Sequence, residues 1–198
     1  MFKHTTLLFT VSLVFIYNKI FMPKTQKIFT GVTINHLTTH PDERGLFTEI
    51  FRDEWKLSKR PIQWNVVNSK KGVLRGVHVH IKHHDYLVII QGKAVIALKD
   101  LRPKSKTYMQ STTIEVSGDN LQALVIPPGV AHAFLFLTDA VHVYSVSRYW
   151  DTEDELGFNY LDPELGITWP KISIKTSDRD AQLPPLSELQ KSLTTKGF

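Results

Sequence analysis

From Lys27 to Ser147 the chain is cut into short runs rich in Val, Ile, Phe and Tyr, each closed by a turn signal. The runs are Lys27–Asn35, Leu46–Phe51, Val73–His80, Tyr86–Ile90, Ala94–Leu98, Thr112–Val116, Ala123–Ile126, Ala133–Leu137 and His142–Ser147. Gln91-Gly92-Lys93, Asp100 to Lys106, Ser117-Gly118-Asp119-Asn120 and Pro127-Pro128-Gly129 separate them. Runs of about five to eight residues are strand-length, and β-branched and aromatic side chains suit a pleated, half-buried surface. The pattern predicts an all-β sandwich or barrel. Helix is sparse: a turn at Asp53–Leu57 and a short C-terminal helix over Pro185–Ser192. No repeat, low-complexity tract or linker interrupts the pattern, so one domain is expected.

With 198 residues the chain can bury a core without disulfides or metal as staples. It has no cysteine, which excludes a thiolate zinc site, an iron–sulfur cluster and a cysteine nucleophile. That fits a reducing cytoplasm, where the protein is expected. The net charge is +5, but no basic stripe is interleaved with aromatics, so nucleic acid is not an expected partner. A mild positive surface favours an anionic small molecule.

Residues 1–21 form a hydrophobic extension with Lys3 ahead of an apolar run. The apolar part is shorter than the roughly 20 residues that span a bilayer, and no small-x-small cleavage site follows it. No stable membrane span is expected. Met22-Pro23-Lys24 is a natural start, so the extension reads either as an upstream-start artefact or as a real segment, with residues 22–198 as the folded domain.

Four of the nine histidines fall in His78-Val79-His80-Ile81-Lys82-His83-His84. On a strand, His78 and His80 share a face. Asp85 follows, Gly92 closes the segment, and Pro127-Pro128-Gly129-Val130-Ala131-His132 places another histidine after a tight turn. Together these resemble the two motifs of the cupin superfamily, a double-stranded β-helix or jelly-roll barrel. In metal-binding cupins the matched positions, here His78, His80, Asp85 and His132, are ligands. Three imidazoles and a carboxylate suit iron, manganese, nickel or zinc. Taken alone, a His-x-His pair on a strand is ordinary packing.

Longer segments narrow the resemblance: Asp42 to Glu49 (DERGLFTE), Val73 to His78 (VLRGVH), Ile126 to Phe134, Tyr144 to Trp150, and Asp162 to Pro170 (DPELGITWP). In that order they resemble the dTDP-4-dehydrorhamnose 3,5-epimerase family over residues 27–187. The resemblance implies a metal-free cupin without cofactor, a homodimer formed by exchange of N-terminal strands, and a substrate that is a nucleotide-activated 4-keto-6-deoxy sugar. It assigns His78 as base, Asp180 in Ser177-Asp178-Arg179-Asp180-Ala181 as its orienting carboxylate, and Tyr144 as the opposite-face acid. The residue types suit these roles. A neutral imidazole is a base near neutral pH, and a phenol stays protonated there. By the same matching Arg44 and Arg75 meet phosphate and sugar, while Phe47, Glu49, Gln63, Asn65, His132 and Trp150 line the substrate pocket.

One position departs from the family. Its usual lysine, seven residues before the matched Gly92, is Asp85 here; Lys82 lies nearby but shifted, and His80 replaces a common Gln. An aspartate opposes an enolate rather than stabilising it. Three readings follow: an epimerase acting at carbon 3, carbon 5 or both; a metal-dependent cupin enzyme on His78, His80, Asp85 and His132; or a sugar-nucleotide-binding cupin without turnover.

Overall fold

The computed structural model describes residues 23–198; the extension expected at residues 1–21 lies outside them. The strands are β1 Lys24–Lys27, β2 Thr33–His36, β3 Thr39–Asp42, β4 Gly45–Thr48, β5 Gln63–Ser69, β6 Leu74–Val79, β7 Asp85–Gln91, β8 Lys93–Asp100, β9 Ser111–Ser117, β10 Gln122–Ile126, β11 Val130–Phe136, β12 Ala140–Val146 and β13 Leu156–Gly157. Two short helices follow, α1 Asp178–Ala181 and α2 Leu186–Thr195.

The strands build two antiparallel sheets. One has the order β1-β2-β10-β7-β12-β5, the other β13-β6-β11-β8-β9. Neighbours are mostly distant in sequence, so the chain crosses repeatedly between the sheets. This is the all-β jelly roll expected of a cupin.

Alternation along the strands distributes the core into layers. Leu87 and Ile89 of β7, Ile96 and Leu98 of β8, and Phe134 and Phe136 of β11 meet between the sheets. Tyr86 and Val88 point to the opposite side of β7 and pack beneath Leu37 and Trp55. On the other outer face, Val77, Val79, Ala131 and Ala133 take Leu186, Leu189 and Leu193 of α2. Those leucines recur at helical spacing, which is why the C-terminal segment folds as a helix here. Both sheets thus have a covered outer face.

Three expectations change. The run Lys27–Asn35 is not one strand but the hairpin β1–β2, because the chain turns at Phe29–Val32, where Gly31 takes a positive φ of 78°. Leu46–Phe51 shortens to β4, which pairs only with β3 as an exposed ribbon. A strand absent from the reading, β5, forms an edge of the larger sheet beside β12.

Candidate active site

A cavity of about 300 Å³ opens between the two sheets. Strand β6 supplies Arg75, His78 and the following His80; β11 supplies His132 and Phe134; β7 supplies Asp85; β12 supplies His142 and Tyr144; β5 supplies Gln63 and Asn65. His78 and Tyr144 therefore enter one cavity from different sheets.

A bulge sets the spacing on β6. His132 is opposite His78 and Phe134 opposite Arg75, so β6 holds one residue more than β11 between these pairs. The extra residue puts Arg75 and His78, three apart, on the same side. Gly76 sits in the bulge with φ +122°, and a Cβ there would lie 2.7 Å from Ala133 Cβ and from the His132 carbonyl oxygen. Glycine is the residue that fits. The Gly76 N–H donates to Asp180 Oδ2 at 3.1 Å.

Asp180 is held from two directions. Its side chain is buried, and its own N–H donates to Ser177 Oγ at the start of α1. Burial pushes its carboxyl upward, but the hydrogen bond and charge of His78 outweigh that and hold it below the usual carboxylate range. It is therefore an acceptor, and His78 Nε2–H donates to Oδ1 at 2.8 Å. This fixes the ring tautomer and leaves the lone pair of the neutral imidazole on Nδ1.

Tyr144 lies across from Asn65 in the β12–β5 pair. Burial, then the Glu155 and Asp85 carboxylates, push its phenol above the ordinary value, so it keeps its proton at neutral pH. Burial pushes His132 down to about 3, and its Nδ1–H donates to the Val130 carbonyl at 3.3 Å. Gln63 Oε1 accepts the Trp150 N–H at 2.9 Å, which ties the exposed Trp150 to the cavity mouth. Arg75 Nε donates to Ser69 Oγ at 3.0 Å and keeps the rest of its guanidinium available.

His142 stacks on Phe136, with ring centroids 5.4 Å apart, and its buried Nδ1 has no partner among the described residues. Burial, aided by the Arg75 charge, lowers it to about 4. An imidazole free to titrate in the unfolded chain has a pKa near 6.5. The folded value is the lower one, so this contribution to stability is complete above pH 6.5 and is lost as pH falls toward 4. Between pH 7.5 and 5.0 it amounts to about 2 kcal/mol. His142→Phe is expected to flatten the pH dependence of urea unfolding by that amount; equal slopes in both proteins would contradict it.

Of the residues singled out in the sequence, His78, Tyr144, Asp180, Gln63, Asn65, Arg75, His132 and Trp150 line this cavity, as do His80 and Asp85. Arg44, Phe47 and Glu49 do not. Arg44 pairs with Asp42 on the β3–β4 ribbon, Phe47 is 65% exposed there, and Glu49 pairs with Arg52. Lys82 is also outside, its Nζ donating to Asp151 at 3.0 Å and Glu153 at 3.2 Å. The set His78, His80, Asp85 and His132 is not the cluster that forms: His78 Nε2 is taken by Asp180, and the grouped ligand atoms belong to His80, His83 and Asp85.

Sequence reasoning missed His83, Glu155 and Arg179 as cavity residues. His83 was visible in the histidine-rich heptapeptide. Arg179 was visible one place before Asp180, and it pairs with Glu155 at 3.0 Å.

Comparison with known proteins shows the family. The family model described as dTDP-4-dehydrorhamnose 3,5-epimerase matches residues 26–188. The dTDP-4-dehydrorhamnose 3,5-epimerase of Methanothermobacter thermautotrophicus is 35% identical over 168 residues, covering 80% of this chain and 91% of that protein. A dTDP-4-dehydro-6-deoxyglucose 3-epimerase from a Streptomyces species is 33% identical over 162 residues, covering 77% of this chain and 83% of that protein. Among solved structures, the dTDP-6-deoxy-D-glucose-3,5-epimerase of Legionella pneumophila in complex with dTDP-4-keto-L-rhamnose superposes with a TM-score of 0.77. That match has 30% identity and covers 84% of this chain and 96% of the other. The chain belongs to the dTDP-4-dehydrorhamnose 3,5-epimerase family and is an isomerase of deoxysugar biosynthesis.

Proposed function

We propose that this epimerase works on a dTDP-linked 4-keto-6-deoxy sugar with His78 as its base, Asp180 as the orienter of that base and Tyr144 as its acid. The observation that carries the assignment is the His78–Asp180 pair on one sheet's side of a cavity into which Tyr144 projects from the other sheet. A proton next to a ketone is acidic because its charge moves to the carbonyl oxygen. His78 Nδ1 takes that proton from carbon 3 or carbon 5, and Asp180 stabilises the imidazolium that results. Tyr144 O–H returns a proton to the opposite face, which inverts the centre. Arg75 provides a guanidinium for the anionic part of the substrate.

Arg44 and Phe47 fit a homodimer in which the β3–β4 ribbon reaches the cavity of a second copy; their exposure on a paired ribbon away from their own cavity supports this. Residues 22–198 act as one domain in this reading, in the cytoplasm. No helix among the described residues is long and apolar enough to cross a membrane.

The test is solvent deuterium incorporation followed by NMR, using dTDP-4-keto-6-deoxyglucose with the GDP- and CDP-linked sugars as comparisons. Deuterium entering at carbon 3, carbon 5 or both is expected. Binding without exchange, or no response to any of the three, overturns the proposal.

A further inference from the structure

His80 and His83 lie face to face, ring centroids 4.2 Å apart and planes inclined by 27°. Asp154 positions both. Its backbone carbonyl accepts from His80 Nδ1 at 2.9 Å, and its carboxylate pairs with His83 Nδ1 at 2.8 Å. A carbonyl can only accept, and a carboxylate accepts from a neutral ring, so both Nδ1 atoms carry hydrogen. The lone pairs are then on the Nε2 atoms. His83 Nε2 is 3.6 Å from Asp85 Oδ1, beyond a hydrogen bond. One ligand atom from each of His80, His83 and Asp85 lies within 4.8 Å of the others, and all three residues are buried.

With both rings neutral, two buried nitrogen lone pairs and a buried carboxylate stand close together. Charge is unbalanced as well. Asp85 and Asp154 are both buried, and among the described residues the ion pairs of their carboxylates are with histidines; Asp154 also accepts the Ile81 and Lys82 N–H groups, and the Lys82 ammonium is turned outward.

We propose that His80, His83 and Asp85 bind one divalent first-row transition-metal ion in the cavity wall. Two imidazoles and one carboxylate suit zinc, iron, cobalt or manganese and leave coordination positions open. Bonds of about 2.0–2.2 Å set ligand atoms roughly 3–4 Å apart, so the two stacked rings must turn about their Cβ–Cγ bonds to aim both lone pairs at one ion. The hydrogen bonds to Asp154 are the outer support that metal-ligating histidines use to fix tautomer and orientation. This set differs from the four ligands expected of a metal cupin, since His78 is committed to Asp180. An ion here gives the cavity a Lewis acid for a carbonyl oxygen, where Lys82 gives none. That consequence rests on the epimerase reading; the binding does not.

The test is metal binding by the full chain, with no substrate present. After chelator treatment, zinc is titrated and bound metal counted by mass spectrometry, then cobalt is added and its visible absorption recorded. One ion per chain is expected, with a cobalt spectrum of low coordination number. His83→Gln and Asp85→Asn should each weaken zinc binding by at least about 100-fold, and His78→Ala should leave the stoichiometry unchanged. Should either ligand variant fail to fold, nitrogen-15 NMR of the wild type decides: zinc must shift Nε2 of His80 and His83 and spare their Nδ1 protons. Uptake below about one-tenth of an ion per chain, loss of the site in His78→Ala, or Nε2 signals that do not move would each overturn the proposal.

Discussion

Substituting Asp180 by Asn is expected to lower the rate of proton exchange on the substrate by about 10³-fold, and His78→Ala by about 10⁴-fold. The first effect is the more informative, because Asn keeps the size and removes only the charge and one acceptor. Asp180 holds the hydrogen of His78 on Nε2 and its lone pair on Nδ1. An amide in its place can present its NH₂ group to Nε2, which moves the ring hydrogen to Nδ1 and leaves no base facing the cavity. The Gly76 N–H keeps an oxygen acceptor but loses its partner's negative charge at the same time. Single-turnover exchange in deuterated water measures the loss, and circular dichroism checks that the fold persists. An Asp180→Asn protein within about threefold of wild type would mean that another group fixes the histidine.

Asp154→Ala is expected to unfold at much lower denaturant, with a loss of about 4 kcal/mol. Its carboxylate is buried and accepts the Ile81 N–H at 2.7 Å and the Lys82 N–H at 3.1 Å, besides pairing with His83. Removing it strands two backbone donors and an imidazole away from water, and each such group costs roughly 1–3 kcal/mol. For a chain of this size the expected fall in melting temperature is about 10 °C. Asp154→Asn keeps one acceptor oxygen and should lose about half as much. A melting temperature for Asp154→Ala within 2 or 3 °C of wild type, on the order of 1 kcal/mol, would remove Asp154 as the anchor of the turn after β6.

The barrel was legible because most strands bury one face or both, and alternating or continuous apolar runs report that directly. Strand β5 escaped because its polarity is reversed. Gln63 and Asn65 point into the cavity, while Trp64 and Val66 are partly or largely exposed. A polar cavity inverts the usual inside-out rule, and a pattern search for an apolar inner face passes over it. The catalytic candidates were legible through their motifs, since His78, Tyr144 and Asp180 lie within segments that resemble the family. Arg44 and Phe47 show the limit of such matching: the motif carries the residue types but not the surface they face. The His83–Asp154 pair was illegible because its members stand 71 positions apart and meet only when β6 and the segment after β12 are folded side by side. The outward turn of Lys82 has the same origin, for Asp151 and Glu153 arrive on that segment.

His78 on β6 and His80 just beyond its end are moored to different stretches of chain: His78 to α1 through Asp180, His80 to the short helical turn at Asp154. The two moorings are themselves tied together, because Arg179 beside Asp180 pairs with Glu155 beside Asp154. The cavity wall is therefore a closed loop of contacts, in which a change at residues 151–155 reaches the His78–Asp180 pair through one exposed ion pair.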